Sequence, residues 1–504
     1  MSESEATKDL KVMLGDPKKA VLAMTGPLII SFLMVQVNSF ADSSWCSMLG
    51  LDASSAVSAI SPMYWIIAGI GTGIGVGAST SIARYLGRGD KVRADALVAQ
   101  TVAISAVASI ALTPLLLLLQ DPAISMMGAD DVADLCRAYI DPIVICTLPI
   151  VISGVIAGIL RSEGAAKRST AMLLVAAILN ISLDPVFMFV LDMGVAGAGW
   201  ATSISTAASV LLGLWWFAKG SVYLRMSFKG FRFDLGMIRD VMFVGIPKSA
   251  ETVLISAMSM IQIVFVIMCG GTSASALYSM PWKFVSMSEV VSQATGSSVI
   301  PIVSAAMGQD DADRAAVACR YSLRLTVIAM VAIAVLLFVF ADWAMIPFTM
   351  SDSMAAIRHE FAHVLRIYAN LIPLVGLIDV AASVLESMRL AQLSMVSSFL
   401  RNVFILALMA VACTMSLDAI FWSLVVAEIV GAAMMLGLAE HEFRKHTGLG
   451  IIGFVWRKDA AEGSQRRGAS RALLPRRHDS THCDTALPMD LQYRRMRETA
   501  KSTR

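Results

Sequence analysis

Apolar runs of twenty or more residues recur along the whole chain, each closed by glycine, proline, aspartate or a basic cluster. They lie near 20–45, 54–82, 94–119, 135–160, 170–190 and 196–218, and again near 238–268, 275–302, 316–340, 361–387, 394–414 and 418–439. A helix rises about 1.5 Å per residue, so each run is long enough to cross a hydrocarbon core of roughly 30 Å. A helix also satisfies its own backbone polar groups inside lipid. The pattern predicts an all-α polytopic membrane protein of twelve spans.

The polar positions between runs alternate in kind. Arg84, Arg88, Lys91 and Arg93 follow the second run, Arg161, Lys167 and Arg168 the fourth, and Lys219, Arg225, Lys229, Arg232 and Arg239 the sixth. Arg314, Arg320 and Arg324 follow the eighth, and Arg389 the tenth; the intervening connections carry Asp52, Asp121, Asp130, Asp131, Asp192, Asp342, Asp352 and Asp418 instead. Under the positive-inside rule, both termini and the even-numbered connections are cytoplasmic and the protein is a multi-pass component of the plasma membrane. The expected organisation is a cytoplasmic N-terminus (1–19), an N-lobe (20–218), a cytoplasmic linker (219–237), a C-lobe (238–440) and a basic, disordered cytoplasmic tail (441–504).

The two halves repeat. Arg84-Tyr-Leu-Gly-Arg-Gly-Asp90 with Arg93 aligns with Ala305-Ala-Met-Gly-Gln-Asp-Asp311 and Arg314, an offset of 221 residues that also puts Gly50 on Gly271. Six spans per half make this a parallel repeat, its axis along the membrane normal.

Composition agrees with the pattern: 57% hydrophobic, 15% charged, mean hydropathy +0.71. A net charge of +2 implies no nucleic-acid partner. The seven cysteines form no C-x-x-C pair and read as buried packing residues, neither a disulfide framework nor a zinc site. Gly69, Gly73 and Gly77 share one helix face, a spacing for close helix packing rather than for a phosphate loop.

The chemistry lies in acids placed inside the spans, where a carboxylate costs at least about 2.5–3.5 kcal/mol. Asp42 sits near the outer end of the first span, and Asp184 one turn beyond Asn180 on a shared face. Thr202 and Tyr139 fall in the same depth band, roughly 10 Å below the outer boundary. Carboxylate, amide and hydroxyl oxygens suit Na⁺, and two neighbouring buried acids equally suit a proton. Pro27 interrupts the first span and permits a kink. The second half holds Glu251, Lys283, Glu289, Asp379 and Glu428, either lining a cavity or, for Lys283 with Glu289 or Glu251, forming a buried ion pair.

Asp42 ahead of Leu49-Gly50, Gly71-Thr-Gly-Ile-Gly75 leading to Ala83-Arg-Tyr-Leu-Gly-Arg-Gly-Asp90, and Leu179-Asn-Ile-Ser-Leu-Asp-Pro185 before Gly194-Val-Ala-Gly-Ala-Gly199 together resemble the multidrug and toxic compound extrusion (MATE) family over roughly 15–440. The likeness is to its prokaryotic, DinF-like branch with an acidic N-lobe. The resemblance implies two six-helix lobes around a V-shaped cavity and efflux of amphipathic organic cations by Na⁺ or H⁺ antiport. It carries the cation-coupling role onto Asp42, Tyr139, Asn180, Asp184 and Thr202, with Asp42, Asn180, Asp184 and Thr202 as the ligands if the ion is Na⁺. It also marks Asp379 and, in poorer register, Glu251. The expected partners are a small cationic or amphipathic substrate and the bilayer, with no cofactor beyond the coupling ion, for a protein acting as a monomer. The alternative is a lipid-linked oligosaccharide flippase of a related superfamily, whose cavities favour basic residues. No H-E-x-x-H, Gly-x-Gly-Asp or Walker motif supports an enzyme or direct ATP drive.

Overall fold

The computed structural model describes residues 3–126, 130–228, 230–346 and 357–452. Among these, ten helices are long and apolar enough to cross a membrane, and two bent helix pairs bring the number of spans to twelve. After a short helix α1 (Glu3–Leu14), the first half comprises α2 (Pro17–Met48), α3 (Leu51–Gly87), α4 (Lys91–Met126), α5 (Ala133–Ile145) bent against α6 (Thr147–Ser162), α7 (Ala166–Pro185) and α8 (Val195–Ala218). The second half comprises α9 (Leu235–Gly271), α10 (Leu277–Gly308), α11 (Ala312–Val339), α12 (Arg358–Ala369) bent against α13 (Ile372–Ser387), α14 (Ala391–Ala412) and α15 (Leu417–Thr447).

The two bends, 55° and 40°, fall inside the spans expected near 135–160 and 361–387. Pro149 and Pro373 each lie in the first turn after the break and cannot donate to the carbonyl four residues back, so the ladder opens there.

The repeat has a local mechanism. Asp90 Oδ1 accepts from Arg93 N at 3.1 Å and Asp311 Oδ1 from Arg314 N at 3.0 Å, so the recurring Asp-x-x-Arg is a helix N-cap used twice. Gly50 (φ 117°) and Gly271 (φ 73°) likewise make equivalent turns that a side chain would strain. Across the halves, a Cβ on Gly87 would lie 2.1 Å from the Ala305 carbonyl oxygen, and one on Gly308 2.2 Å from that of Arg84. The contact is self-complementary under the same 221-residue offset, which places a pseudo-two-fold axis between α3 and α10.

The glycine face predicted on α3 packs against α9: Gly69 meets Thr252, Gly73 meets Ser249, and Gly77 meets Val241. The opposite face, Gly71 and Gly75, meets Val151 and Gly154 of α6. At the basic end of the bundle the halves are tied by Asp240 of α9, which pairs with Arg389 at 2.6 Å and accepts from Tyr85 Oη of α3 at 3.4 Å.

The N-terminal segment is helical, and α1 buries Met13, whose carbonyl accepts from Arg314. Two sequence expectations need correction. The last helix passes residue 440 and runs to Thr447, and Gly450 beyond it accepts from Arg320 at 2.7 and 3.0 Å, because Arg320 and Glu440 hold the backbone of 450–452; the remainder of the expected tail lies outside the described residues. Finally, Cys269 and Cys413 form a disulfide, their Cα atoms 5.4 Å apart. They are 144 residues apart in sequence and meet only because α9 and α14 end side by side at the acidic end, which spacing alone cannot reveal. Cys46, Cys136 and Cys319 are free and buried, as packing residues; Cys483 lies outside the described residues.

Candidate functional site

Two helices present the same turn toward each other. On α2, Asn38 Nδ2 donates to Asp42 Oδ2 at 3.3 Å; on α7, Asn180 Nδ2 donates to Asp184 Oδ1 at 3.1 Å and to Thr202 Oγ1 of α8 at 3.4 Å. The Asp42 and Asp184 carboxyl groups approach within hydrogen-bonding reach of each other. Asp184 is fully buried and Asn180 nearly so. Asp42 lies six residues before the end of α2 and Asp184 six before the end of the turn that follows α7, so both are about 10 Å below the acidic end.

The backbone around Asp184 is irregular for a reason in the sequence. Pro185 cannot donate to the Ile181 carbonyl, and the chain widens into a π turn over Val186–Val190 directly after it. Tyr139 on α5 is buried beside the pair, and its segment is fixed because Gly199 of α8 lets the helices approach until a Cβ would lie 2.2 Å from the Tyr139 carbonyl. Tyr64 and Cys46 also lie within electrostatic reach of Asp42. Four buried acceptor oxygens have no donor: Asn38 Oδ1, Asp42 Oδ1, Asn180 Oδ1 and Asp184 Oδ2. Oxygens in this state are costly unless a proton or cation serves them.

Among the described residues, no group of three or more His, Cys, Asp or Glu side chains is disposed to hold a metal ion. Two carboxylates with amide and hydroxyl oxygens are instead the donor set of a monovalent ion or a proton. Beneath the pair lies a cavity of about 170 Å³, whose lining mixes Asn38, Tyr64, Thr72, Asn180 and Thr202 with apolar residues such as Val35 and Ile150.

The five residues singled out in the N-half therefore come together. Asn38 was missed, although the Asn-x-x-x-Asp spacing it shares with Asn180–Asp184 was readable. In the C-half, Asp379 Oδ2 accepts from Ser292 at 2.6 Å with Glu289 close by, and Arg401 pairs with Glu428 at 3.0 Å. Glu251 is bound by Lys248, which sequence reading passed over, and Lys248 also reaches Glu386. Lys283 places its ammonium 5.2 Å from the centroid of Phe40, two residues from Asp42. Pro27 lies within α2, which continues through it.

The MatE family model matches residues 27–186 and again 247–411, more than half of the chain and one match per half. The multidrug export protein MepA of Staphylococcus saprophyticus is 22% identical over 425 residues, covering 82% of this chain and 91% of that protein. MepA of Staphylococcus aureus (strain NCTC 8325) is 24% identical over 289 residues, 56% of this chain, and here the chain spans only 63% of the relative's length. In fold, the chain is similar to an outward-facing multidrug resistance MATE family transporter (TM-score 0.84, 24% identity, 88% of this chain and 99% of that one). The same scores relate it to a MOP superfamily transporter from Pyrococcus furiosus described as having a binding pocket of reverse polarity.

Proposed function

Since this chain belongs to the MATE family of membrane transporters, we propose that it exports small amphipathic cations across the plasma membrane in exchange for Na⁺ or H⁺, by alternating access of its two halves. The carrying observation is the convergence of Asp42 and Asp184 with four acceptor oxygens that lack a donor. Two carboxylates in contact inside a bilayer repel unless a proton or cation lies between them. Asp42, Asn180, Asp184 and Thr202 are the residues that would hold Na⁺, with Tyr139 packed beside them. Multidrug export by the MepA relatives supports the substrate class.

The basic end is the cytoplasmic one in this reading, both by charge and because a disulfide at the acidic end suits an oxidising exterior. The cavity beneath the pair offers hydroxyl and amide groups among apolar side chains, which supports an amphipathic occupant. At about 170 Å³ it is smaller than the roughly 300–1,000 Å³ of typical ligand sites, so loading a drug-sized substrate requires helices to part. Pro27, fifteen residues below Asp42 on the same helix, cannot donate to the Ala23 carbonyl, and this gap in the hydrogen-bond ladder is the weak point about which α2 bends when the pair loads or releases its cation.

Reconstituted in proteoliposomes under an imposed Na⁺ or H⁺ gradient, the protein pumps a fluorescent organic cation uphill. Asp42→Asn and Asp184→Asn each lower that uphill flux by about tenfold or more while downhill flux persists. Undiminished pumping in both variants removes the coupling role. Pro27→Ala, in the same assay, keeps substrate binding and loses most of the coupled flux; full coupling there removes the bending step.

A further inference from the structure

The C-half buries a second pair of acids, and it is served differently. Lys248, between Pro247 and the Ser249 that packs on Gly73, places Nζ 3.2 Å from Glu251 Oε2 and 2.7 Å from Glu386 Oε1 of α13. The other oxygen of Glu251 accepts from Ser394 Oγ at 3.3 Å and from Ser398 Oγ, both on α14. Both glutamates are almost wholly buried. Asp379 of α13 and Arg401 of α14 are the further charged groups within electrostatic reach.

Two helices thus bring two carboxylates onto one point, which is taken by a cation attached to the chain, while two hydroxyls of a third helix donate to the far oxygen of Glu251 and hold its carboxylate in place. Near Asp42 and Asp184, which the repeat does not relate to these glutamates, acceptor oxygens have no donor, whereas Glu386 Oε1, also without a well-aligned hydrogen bond, has the Lys248 charge 2.7 Å away. A buried carboxylate pair must have positive charge nearby, and a lysine supplies it permanently at the end of a four-carbon stem.

We propose that Glu251 and Glu386, with Ser394 and Ser398 holding the Glu251 carboxylate, form a second monovalent-cation site, filled by the ammonium group of Lys248, so that the C-half carries a fixed cation while the N-half takes an exchangeable one. The contrast with the N-half rests on the coupling role proposed for Asp42 and Asp184; the C-half site itself does not. With the lysine stem removed, the site takes a small ammonium ion or Na⁺ from solution.

The test uses the purified full chain in lipid nanodiscs, in an Asp184→Asn background that silences the N-half response. Lys248→Ala is added, and the thermal midpoint is followed with propylammonium chloride, NaCl, and choline chloride as the ionic-strength control. The expected result is a saturable rise of a few degrees with propylammonium or Na⁺, absent when Lys248 is present and abolished by Glu251→Gln with Glu386→Gln. No rise above the choline control, or an equal rise in the double glutamine variant, overturns the proposal. Should Lys248→Ala fail to purify in choline buffer, recovery of monodisperse protein by extraction in propylammonium, dependent on both glutamates, supports it; no recovery in any of the three salts overturns it. An Asp184→Asn variant that keeps a full Na⁺ response in the presence of Lys248 counts against the N-half reading alone.

Discussion

Glu163 shows how far burial can move a single side chain outside the spans. It sits in the turn after α6, accepts from Leu224 N at 2.8 Å and lies 3.9 Å from Arg168, yet its pKa is pushed up to about 7, because burial outweighs both favourable contacts. A carboxyl group whose folded value exceeds its unfolded value stabilises the fold fully below the unfolded value, and that contribution is lost as pH rises through the folded one. Thermal midpoints measured from pH 5 to 8 should therefore fall less steeply in Glu163→Gln than in the parent, with the variant the more stable at pH 8. A parallel decline in both shows that Glu163 does not titrate in this range. At the same scale, the candidate site was legible where residues break a local rule: Asp42 and Asp184 stand out because lipid penalises charge. Asn38 and Lys248 did not stand out. An amide inside a span is inexpensive, and a lysine looks like an interfacial anchor until the Glu386 carboxylate, 138 residues away on another helix, joins that of Glu251 three residues on in the same helix.

Helices were legible because lipid demands uninterrupted apolar runs, and their order because basic residues collect at alternate ends. The bends within the α5–α6 and α12–α13 pairs were not, since a mid-span proline such as Pro149 or Pro373 permits a kink without fixing its angle. Pairing of faces was partly readable: the Gly69, Gly73, Gly77 stripe announced a close neighbour without saying which. That neighbour is α9, and the tolerance is small. Gly77→Val sets a branched side chain where even a Cβ would lie 2.2 Å from the Val241 carbonyl, so the helices must separate. The expected cost is about 1–3 kcal/mol, seen as a lower thermal midpoint in detergent. Gly26→Ala, with no atom within 4 Å of its added Cβ, is the matched control and leaves the midpoint unchanged.

For the molecule as a whole, the repeat and the twelve-span count followed from the sequence, and the covalent tie between α9 and α14 did not. That tie offers a direct reading of orientation. With the other five cysteines replaced by serine, intact cells should take up no membrane-impermeant PEG-maleimide until an impermeant reductant is added, and then two adducts per chain. Labelling before reduction excludes the disulfide, and labelling only after permeabilisation reverses the proposed orientation. The reciprocal seat of Gly87 on Ala305 and Gly308 on Arg84 has a mechanical meaning of its own. Under the alternating access proposed above, two related halves that rock symmetrically move least at the axis between them, so this seat would serve as their bearing. Displacement grows with distance from it, so the neighbouring Tyr85–Asp240 contact moves least and the aspartate pair, toward the opposite end, moves more. Because the two glycines come from separate copies of the repeat, a side chain added to one has no counterpart in the other. Such a change would tilt the bearing rather than merely widen it.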